Sequence, residues 1–185
     1  RQSMAFQSMT HARPLLSLVL AAAVFIGAQT EVRADDSAAN DRHTVLVTGA
    51  NRGLGLGLSR VYLEDGWDVI AVVRKTSPEL EKLACSRLDI RECQLTDDGE
   101  LAAIADSLAG QTIDVLINNA GRMAKTQGDT TEGVQGFGHF NRALWHDVFD
   151  INLFTPMRLS ELLVQQGGKA EHGRIVTLSS MLGSM

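Results

Sequence analysis

The sequence predicts an α/β domain, a doubly wound parallel sheet with helices over both faces, and two observations carry that reading. From residue 44 onward, short and almost wholly apolar runs alternate with segments whose apolar residues recur at helical spacing. That is the pattern of strands buried on both faces between covering helices. The first of those runs passes directly into the glycine-rich turn Thr48-Gly49-Ala50-Asn51-Arg52-Gly53-Leu54-Gly55. A strand, a glycine turn and a helix in that order build a pocket for a phosphate. Glycines let the backbone close on the anion, and the first amides of the helix point at it.

Each element follows from its local pattern. Residues 44–48, with the apolar run Val45 to Val47, form the first strand, and residues 53–64 form a helix with Leu54, Leu58, Val61 and Tyr62 at helical spacing. Gly66 ends that helix. Residues 67–73 (WDVIAVV) make a second strand, 78–83 a short helix opening on a proline, and 86–90 a third strand. Residues 97–108 read as a helix with Thr96 as its N-cap. A fourth strand covers 113–117 (IDVLI), followed by a loop rich in glycine and polar residues over 122–140. One long helix is expected over 141–166 and a fifth strand over 174–178 (RIVTL). No internal repeat or low-complexity tract interrupts the pattern.

The chain of 185 residues is long enough for one domain with a sizeable core. Its net charge of −5, without a basic block, argues against nucleic acid as the main partner, because neutralising phosphates needs clustered Lys and Arg. The two cysteines, Cys85 and Cys93, flank the third strand. Eight extended residues span about 26 Å, whereas a disulfide needs Cα atoms within about 7 Å, so two free thiols are expected. His11, His43, His139, His146 and His172 are scattered, and no Cys/His spacing matches a metal site.

The first forty residues differ in kind. His11 and Arg13 precede an almost unbroken apolar run from Leu15 to Ala28, and small and polar residues follow. A basic start, about 14 apolar residues and a small residue at the exit describe a secretory signal peptide over residues 1–34. A linker over 35–43 then leads into the domain 44–185. Cleavage fits loosely after Ala34. An uncleaved anchor, which would be the chain's one route to a membrane, and a mis-assigned upstream region are the alternatives. A working signal implies a periplasmic or secreted protein, and a mis-assigned start a cytoplasmic one, where nicotinamide cofactors are plentiful.

The glycines have the spacing Gly49-x-x-x-Gly53-x-Gly55. Neither Gly-x-Gly-x-x-Gly nor the Gly-Lys-Ser/Thr of a P-loop is present. A plain tight turn is the bland alternative, and the flanking strand and helix weigh against it. The end of the second strand selects the nucleotide. A carboxylate there would bond a ribose 2′-hydroxyl, but Val73 is followed by Arg74 and Lys75. Arg74 can grip a 2′-phosphate through its planar fork, with Arg52 of the turn on the same side. NADP(H) is therefore expected over NAD(H). The alternative is that Arg74 and Lys75 are solvated strand-end charges.

Thr48 to Gly55, then Asn118-Asn119-Ala120-Gly121, then Asn152, then Ser179-Ser180 resemble the short-chain dehydrogenases/reductases, from about residue 44 to the last residue. The phrases WDVIAVVR, RLDI, IDVLINNAG and RIVTLSS are similar to the C-factor and sniffer-like carbonyl reductase branch. The resemblance implies a Rossmann fold and hydride transfer between a nicotinamide cofactor and a small carbonyl or alcohol substrate. It implies that Gly49, Asn51, Arg52, Gly53, Leu54 and Gly55 hold the pyrophosphate and adenosine ribose, with Arg74 beyond them. Asp89 and Ile90 would lie against the adenine, Asp89 meeting its amino group. Asn118, Ala120 and Gly121 would line the nucleotide ribose and brace the sheet. Ser180 would bond the substrate carbonyl, and Asn152 would anchor a water in a proton relay. Asn152 also has an argument of its own: Pro156, four residues on, has no N–H, so the Asn152 carbonyl loses its helical partner.

The family's Tyr-x-x-x-Lys, which would supply the proton, has no match here, since the one tyrosine is Tyr62 and Gly66 lies four residues on. In the family that pair would fall beyond Met185, with the last strands and the substrate-covering helices. Two readings stay open. The sequence is an incomplete copy of a full reductase, or it is a product this short, expected to lack ordinary turnover and to expose the sheet edge beside 175–178. The competing functions are an NADP(H)-dependent oxidoreductase, a non-catalytic nucleotide-binding module or pseudoenzyme, and a non-functional fragment. The apolar face of the helix 141–166 suits core packing and a partner helix equally.

Overall fold

The computed structural model describes residues 42–123, 140–167, 170 and 172–179. The expected signal peptide, all but the end of the linker, most of the loop 122–140, and Ser180 lie outside the described residues. Among the described residues no helix is long and apolar enough to cross a membrane.

In chain order the elements are β1 (Thr44–Thr48), α1 (Gly53–Glu64), β2 (Asp68–Val73), α2 (Pro78–Glu81), β3 (Leu88–Glu92), α3 (Asp98–Ser107), β4 (Val115–Asn118), α4 (Arg142–Phe149), a π-helical turn (Asp150–Phe154), α5 (Thr155–Gly167) and β5 (Arg174–Thr177). The five strands are parallel and lie in the order β3-β2-β1-β4-β5. Strand alternation explains the continuous apolar runs. Leu46, Ile70, Val72 and Leu116 point to one face, where they pack with Leu101, Ile104, Leu159 and Leu162 of α3 and α5. Val45, Val47, Val69, Ala71, Val73, Val115 and Ile117 point to the other, against Leu63 of α1 and Leu80 of α2. Both faces of β1, β2 and β4 are covered, which explains their apolar runs, whereas β3 is half-buried and carries charged residues and the described residues of β5 are exposed.

Several boundaries differ from the sequence-based expectation, each for a local reason. Trp67 belongs to the turn that closes α1, because its N–H donates to the Tyr62 carbonyl at 2.9 Å, and β2 starts at Asp68. The third strand is displaced to Leu88–Glu92, since the Leu88 N–H closes a turn on the Cys85 carbonyl. Asp97, and not Thr96, caps α3: its Oδ1 accepts from the Glu100 N–H at 2.9 Å. The single helix expected over 141–166 is present as one helical run from Arg142 to Gly167, but its middle is π-helical. The Thr155 N–H reaches back to the Asp150 carbonyl, five residues earlier, so the chain passes Pro156 by widening into a π turn. The Thr155 hydroxyl then donates to the Leu95 carbonyl at 2.7 Å, pinning the start of α5 beside the segment that follows β3.

Both cysteines are free thiols, Cys85 exposed and Cys93 buried. Burial first, then the nearby carboxylates Glu100 and Asp97, push the Cys93 thiol up to about 11. The folded state therefore holds this proton more tightly than the unfolded chain. Stability from this group is full below the ordinary thiol value and falls as pH rises through the window up to about 11. In a thiol-labelling assay near neutral pH, Cys85 is expected to react at once and Cys93 only on unfolding, so that Cys85→Ser removes the fast phase alone.

Candidate functional site

β1 and β4 are neighbours, yet the chain leaves them for opposite sides of the sheet, β2 and β3 lying one way and β5 the other. Such a switch point opens a crevice above the carboxyl ends of the strands. Two segments line it, the glycine turn after β1 and residues 119–121 after β4. Gly49 (φ 69°) and Gly53 (φ 56°) take the left-handed conformation that folds this turn. The Gly49 N–H stays tied to β2 through the Val72 carbonyl at 2.8 Å.

The two lining segments are bolted together by Thr48 and Asn119. The buried Thr48 hydroxyl oxygen accepts from the Asn119 N–H at 3.1 Å and the Ala120 N–H at 3.0 Å. In return, Asn119 Nδ2 donates to the carbonyls of Thr48 at 2.8 Å and Gly49 at 3.2 Å. The approach leaves no room for side chains. A Cβ on Gly49 would lie 3.0 Å from Ala120 Cα, and one on Gly55 would fall on the Gly49 carbonyl oxygen and Asn119 Nδ2.

Above this floor stands the N-terminus of α1. Its N-cap, Arg52, is extended and offers no side-chain cap, and no acidic residue occupies the first turn. The opening amides of a helix have no partner within it. Those of Gly53, Leu54 and Gly55 therefore present partial positive charge to the crevice, a fit for a diphosphate.

The loop after β2 is stitched to the same turn. Asn51 Nδ2 donates to the Lys75 carbonyl at 3.4 Å, and the Ser77 hydroxyl donates to the Asn51 carbonyl at 2.7 Å while accepting from the Leu80 N–H as the cap of α2. Arg52 and Arg74 are thereby carried on two segments joined at Asn51. Both are exposed, and neither makes an ion pair among the described residues.

Asp89 and Ile90 are not brought to this crevice, which corrects the expectation for them. Asp89 lies level with Ile70, in the middle of the sheet's height, and both oxygens of its carboxylate accept from Arg91 Nε at 2.8–2.9 Å. Ile90 packs on the core beneath α1. The strand runs two residues further than its sequence pattern suggests, so the edge beside the crevice is formed by Glu92 and the residues after it.

Beyond β4, Gly121 lies beside Asn152, whose Oδ1 would stand 3.0 Å from a Cβ there. The Asn152 carboxamide pairs with the backbone of Arg122, accepting from its N–H at 2.9 Å and donating to its carbonyl at 2.8 Å. Arg122 also reaches Asp147 of α4 at 3.2 Å. Asn152 stands in the π turn, a distortion that often marks functional positions in helices. Asn118, the last residue of β4, is buried, with Nδ2 donating to the Ser160 hydroxyl at 3.3 Å, so its side chain braces the sheet against α5. Gly49, Asn51, Arg52, Gly53, Leu54, Gly55, Arg74, Ala120 and Gly121 are gathered around the crevice, and Ser180 lies outside the described residues. Thr48, Asn119, Ser77 and Glu92 were missed by sequence reasoning. Of these Thr48 and Asn119 had a signal, their places inside the Thr48–Gly55 turn and Asn118-Asn119-Ala120-Gly121.

The family model described as short chain dehydrogenase matches residues 43–185. The chain is 32% identical over 156 residues to a candidate ketoacyl reductase of Streptomyces coelicolor, covering 79% of this chain and 56% of that protein. Among solved structures it is similar to a candidate short-chain dehydrogenase/reductase of Burkholderia multivorans with bound NADP. That match has 32% identity and a TM-score of 0.63, over 75% of this chain and 59% of the other. It is also similar to the candidate carbonyl reductase Sniffer of Caenorhabditis elegans, with 26% identity and a TM-score of 0.66, over 78% of this chain and 66% of that one. The chain spans about half the length of the curated relatives it matches.

Proposed function

The chain belongs to the short-chain dehydrogenase family of oxidoreductases, and from that membership we propose that residues 44–185 bind NADP(H) for hydride transfer to or from a small carbonyl or alcohol. The observation that carries the reading is the uncapped N-terminus of α1 facing the β4 segment, with Arg52 and Arg74 exposed on the two segments joined at Asn51. The amides of Gly53, Leu54 and Gly55 hold the diphosphate. Arg74 and Arg52 hold the 2′-phosphate, and the end of β2 carries no carboxylate to take its place. The nicotinamide, when bound, supplies or accepts the hydride. Asn152 fixes the Arg122 backbone at that end of the crevice, and Ser180 is assigned to the substrate carbonyl from the family pattern. The bound NADP of the Burkholderia structure supports the choice of nucleotide.

A second reading, binding without turnover, is favoured by the chain's only tyrosine. Tyr62 packs edge-on against Trp67, ring centroids 5.0 Å apart, at the far end of α1 from the crevice. It cannot serve as the proton donor. For the 185-residue chain we therefore expect nucleotide affinity without reduction of carbonyl compounds. Export follows if residues 1–34 act as a signal.

Titrating the protein while following NADPH fluorescence tests the proposal. A saturable signal is expected, with NADPH bound about tenfold tighter than NADH, the size of one charge-assisted contact. A flat NADPH titration overturns the assignment.

A further inference from the structure

Resting on the NADP(H) reading, we infer that Glu92 is a positioning residue for nucleotide choice: its carboxylate holds the loop 74–77 in the form that presents Arg74 to the 2′-phosphate. Glu92 is the last residue of β3 and pairs in register with Val73, the last residue of β2. The Cys93 N–H then donates to the Val73 carbonyl at 2.8 Å, so the two strand ends stay side by side to the edge of the sheet. From there Glu92 Oε1 accepts from the Thr76 N–H at 2.8 Å.

The loop between Val73 and α2 therefore has three moorings, two on Asn51 and one on Glu92. Asn51 of the glycine turn takes the Lys75 carbonyl, Glu92 takes the Thr76 N–H, and Ser77 is held to the Asn51 carbonyl and caps α2. The Asn51 bond is long at 3.4 Å, whereas the Glu92 bond is short at 2.8 Å and its acceptor is a carboxylate oxygen. The Thr76 hydroxyl is buried without a partner, so that residue is held through its backbone alone. Arg74 is exposed and has no ion pair among the described residues to orient it. Its direction is set by the backbone that carries it, and the strongest tie on that backbone comes from Glu92.

A loop left free must be ordered when the nucleotide binds, and that ordering weakens binding. NADH makes no demand on Arg74, so the effect falls on NADPH. The experiment measures affinity for NADPH and NADH by fluorescence titration of the full chain, alone and with Glu92→Ala, Glu92→Gln and Arg74→Ala. Glu92→Ala is expected to weaken NADPH about tenfold, the scale of one hydrogen bond to a charged group, and to leave NADH nearly unchanged. Glu92→Gln keeps an acceptor oxygen for the Thr76 N–H and is expected to restore NADPH affinity. In the Arg74→Ala background, Glu92→Ala is expected to have no further effect on NADPH.

Equal losses for the two nucleotides, or a loss on NADPH that persists undiminished without Arg74, overturn the inference and mark Glu92 as merely structural. Tighter NADPH binding by Glu92→Ala also overturns it, since that is the result if the carboxylate only repels the phosphate. In all of these cases the unsubstituted chain still binds NADPH, and the functional proposal stands. Absence of NADPH binding by the unsubstituted chain overturns both.

Discussion

Gly55→Ala is expected to destabilise the chain by about 3 kcal/mol, at the upper end of overpacking costs. Its effect on binding is expected to be a loss of NADPH affinity of about tenfold to a hundredfold. The new Cβ has no space to enter. It would fall on the Gly49 carbonyl oxygen and on Asn119 Nδ2, the two partners whose hydrogen bond holds the glycine turn against the β4 segment. Neither is the free end of a flexible side chain, so the turn itself must shift, and the amides aimed at the diphosphate shift with it. Thermal unfolding should show the loss as a midpoint lowered by about 9 °C, on the scaling for a domain of this size. Gly57→Ala is the control. That residue lies in the same helix with nothing within 4 Å of its would-be Cβ. There the substitution should raise stability by about 0.5–1 kcal/mol, through reduced backbone entropy in the unfolded chain. Equal behaviour of the two variants would show that Gly55 is not a close-approach position.

Arg74→Asp is expected to reverse the nucleotide preference, lowering the ratio of NADPH to NADH affinity by about a hundredfold. Losing a charge-assisted contact to phosphate accounts for about 1.5–3 kcal/mol of that change. A carboxylate adds repulsion toward the 2′-phosphate and an acceptor for a 2′-hydroxyl. Both contributions are electrostatic at an exposed position, so the difference between the nucleotides should shrink as salt is raised. Paired titrations with the two nucleotides measure it, and an unchanged ratio would place the 2′-phosphate away from Arg74.

The glycine turn was legible from residues because its information is local. Gly49, Gly53 and Gly55 stand between a β-branched strand and a helix, and α1 begins and ends where its pattern places it, at Gly53–Glu64. Asp89 was misplaced for an equally local reason. Residues 86–92 carry no clean alternation, and the turn closed by Cys85 and Leu88 displaced the strand by two residues, moving Asp89 from its edge to its middle. The kink at Pro156 was foreseeable from a missing N–H. That it would appear as a π turn, with the Asn152 side chain on the Arg122 backbone thirty residues earlier, was not.

Read alone, the amino-acid order determined the α/β class, the five strands found among the described residues, the glycine turn and the absence of a carboxylate after β2. Periodicity and backbone freedom are properties of neighbours in the chain. Only the tertiary structure decided that Thr48 and Asn119 lock two turns together across 71 residues, that Glu92 secures the Thr76 backbone, and that the Asn118 side chain meets Ser160. Those contacts join segments brought together by strand order and helix packing. No spacing within one segment encodes which distant backbone group a side chain will meet.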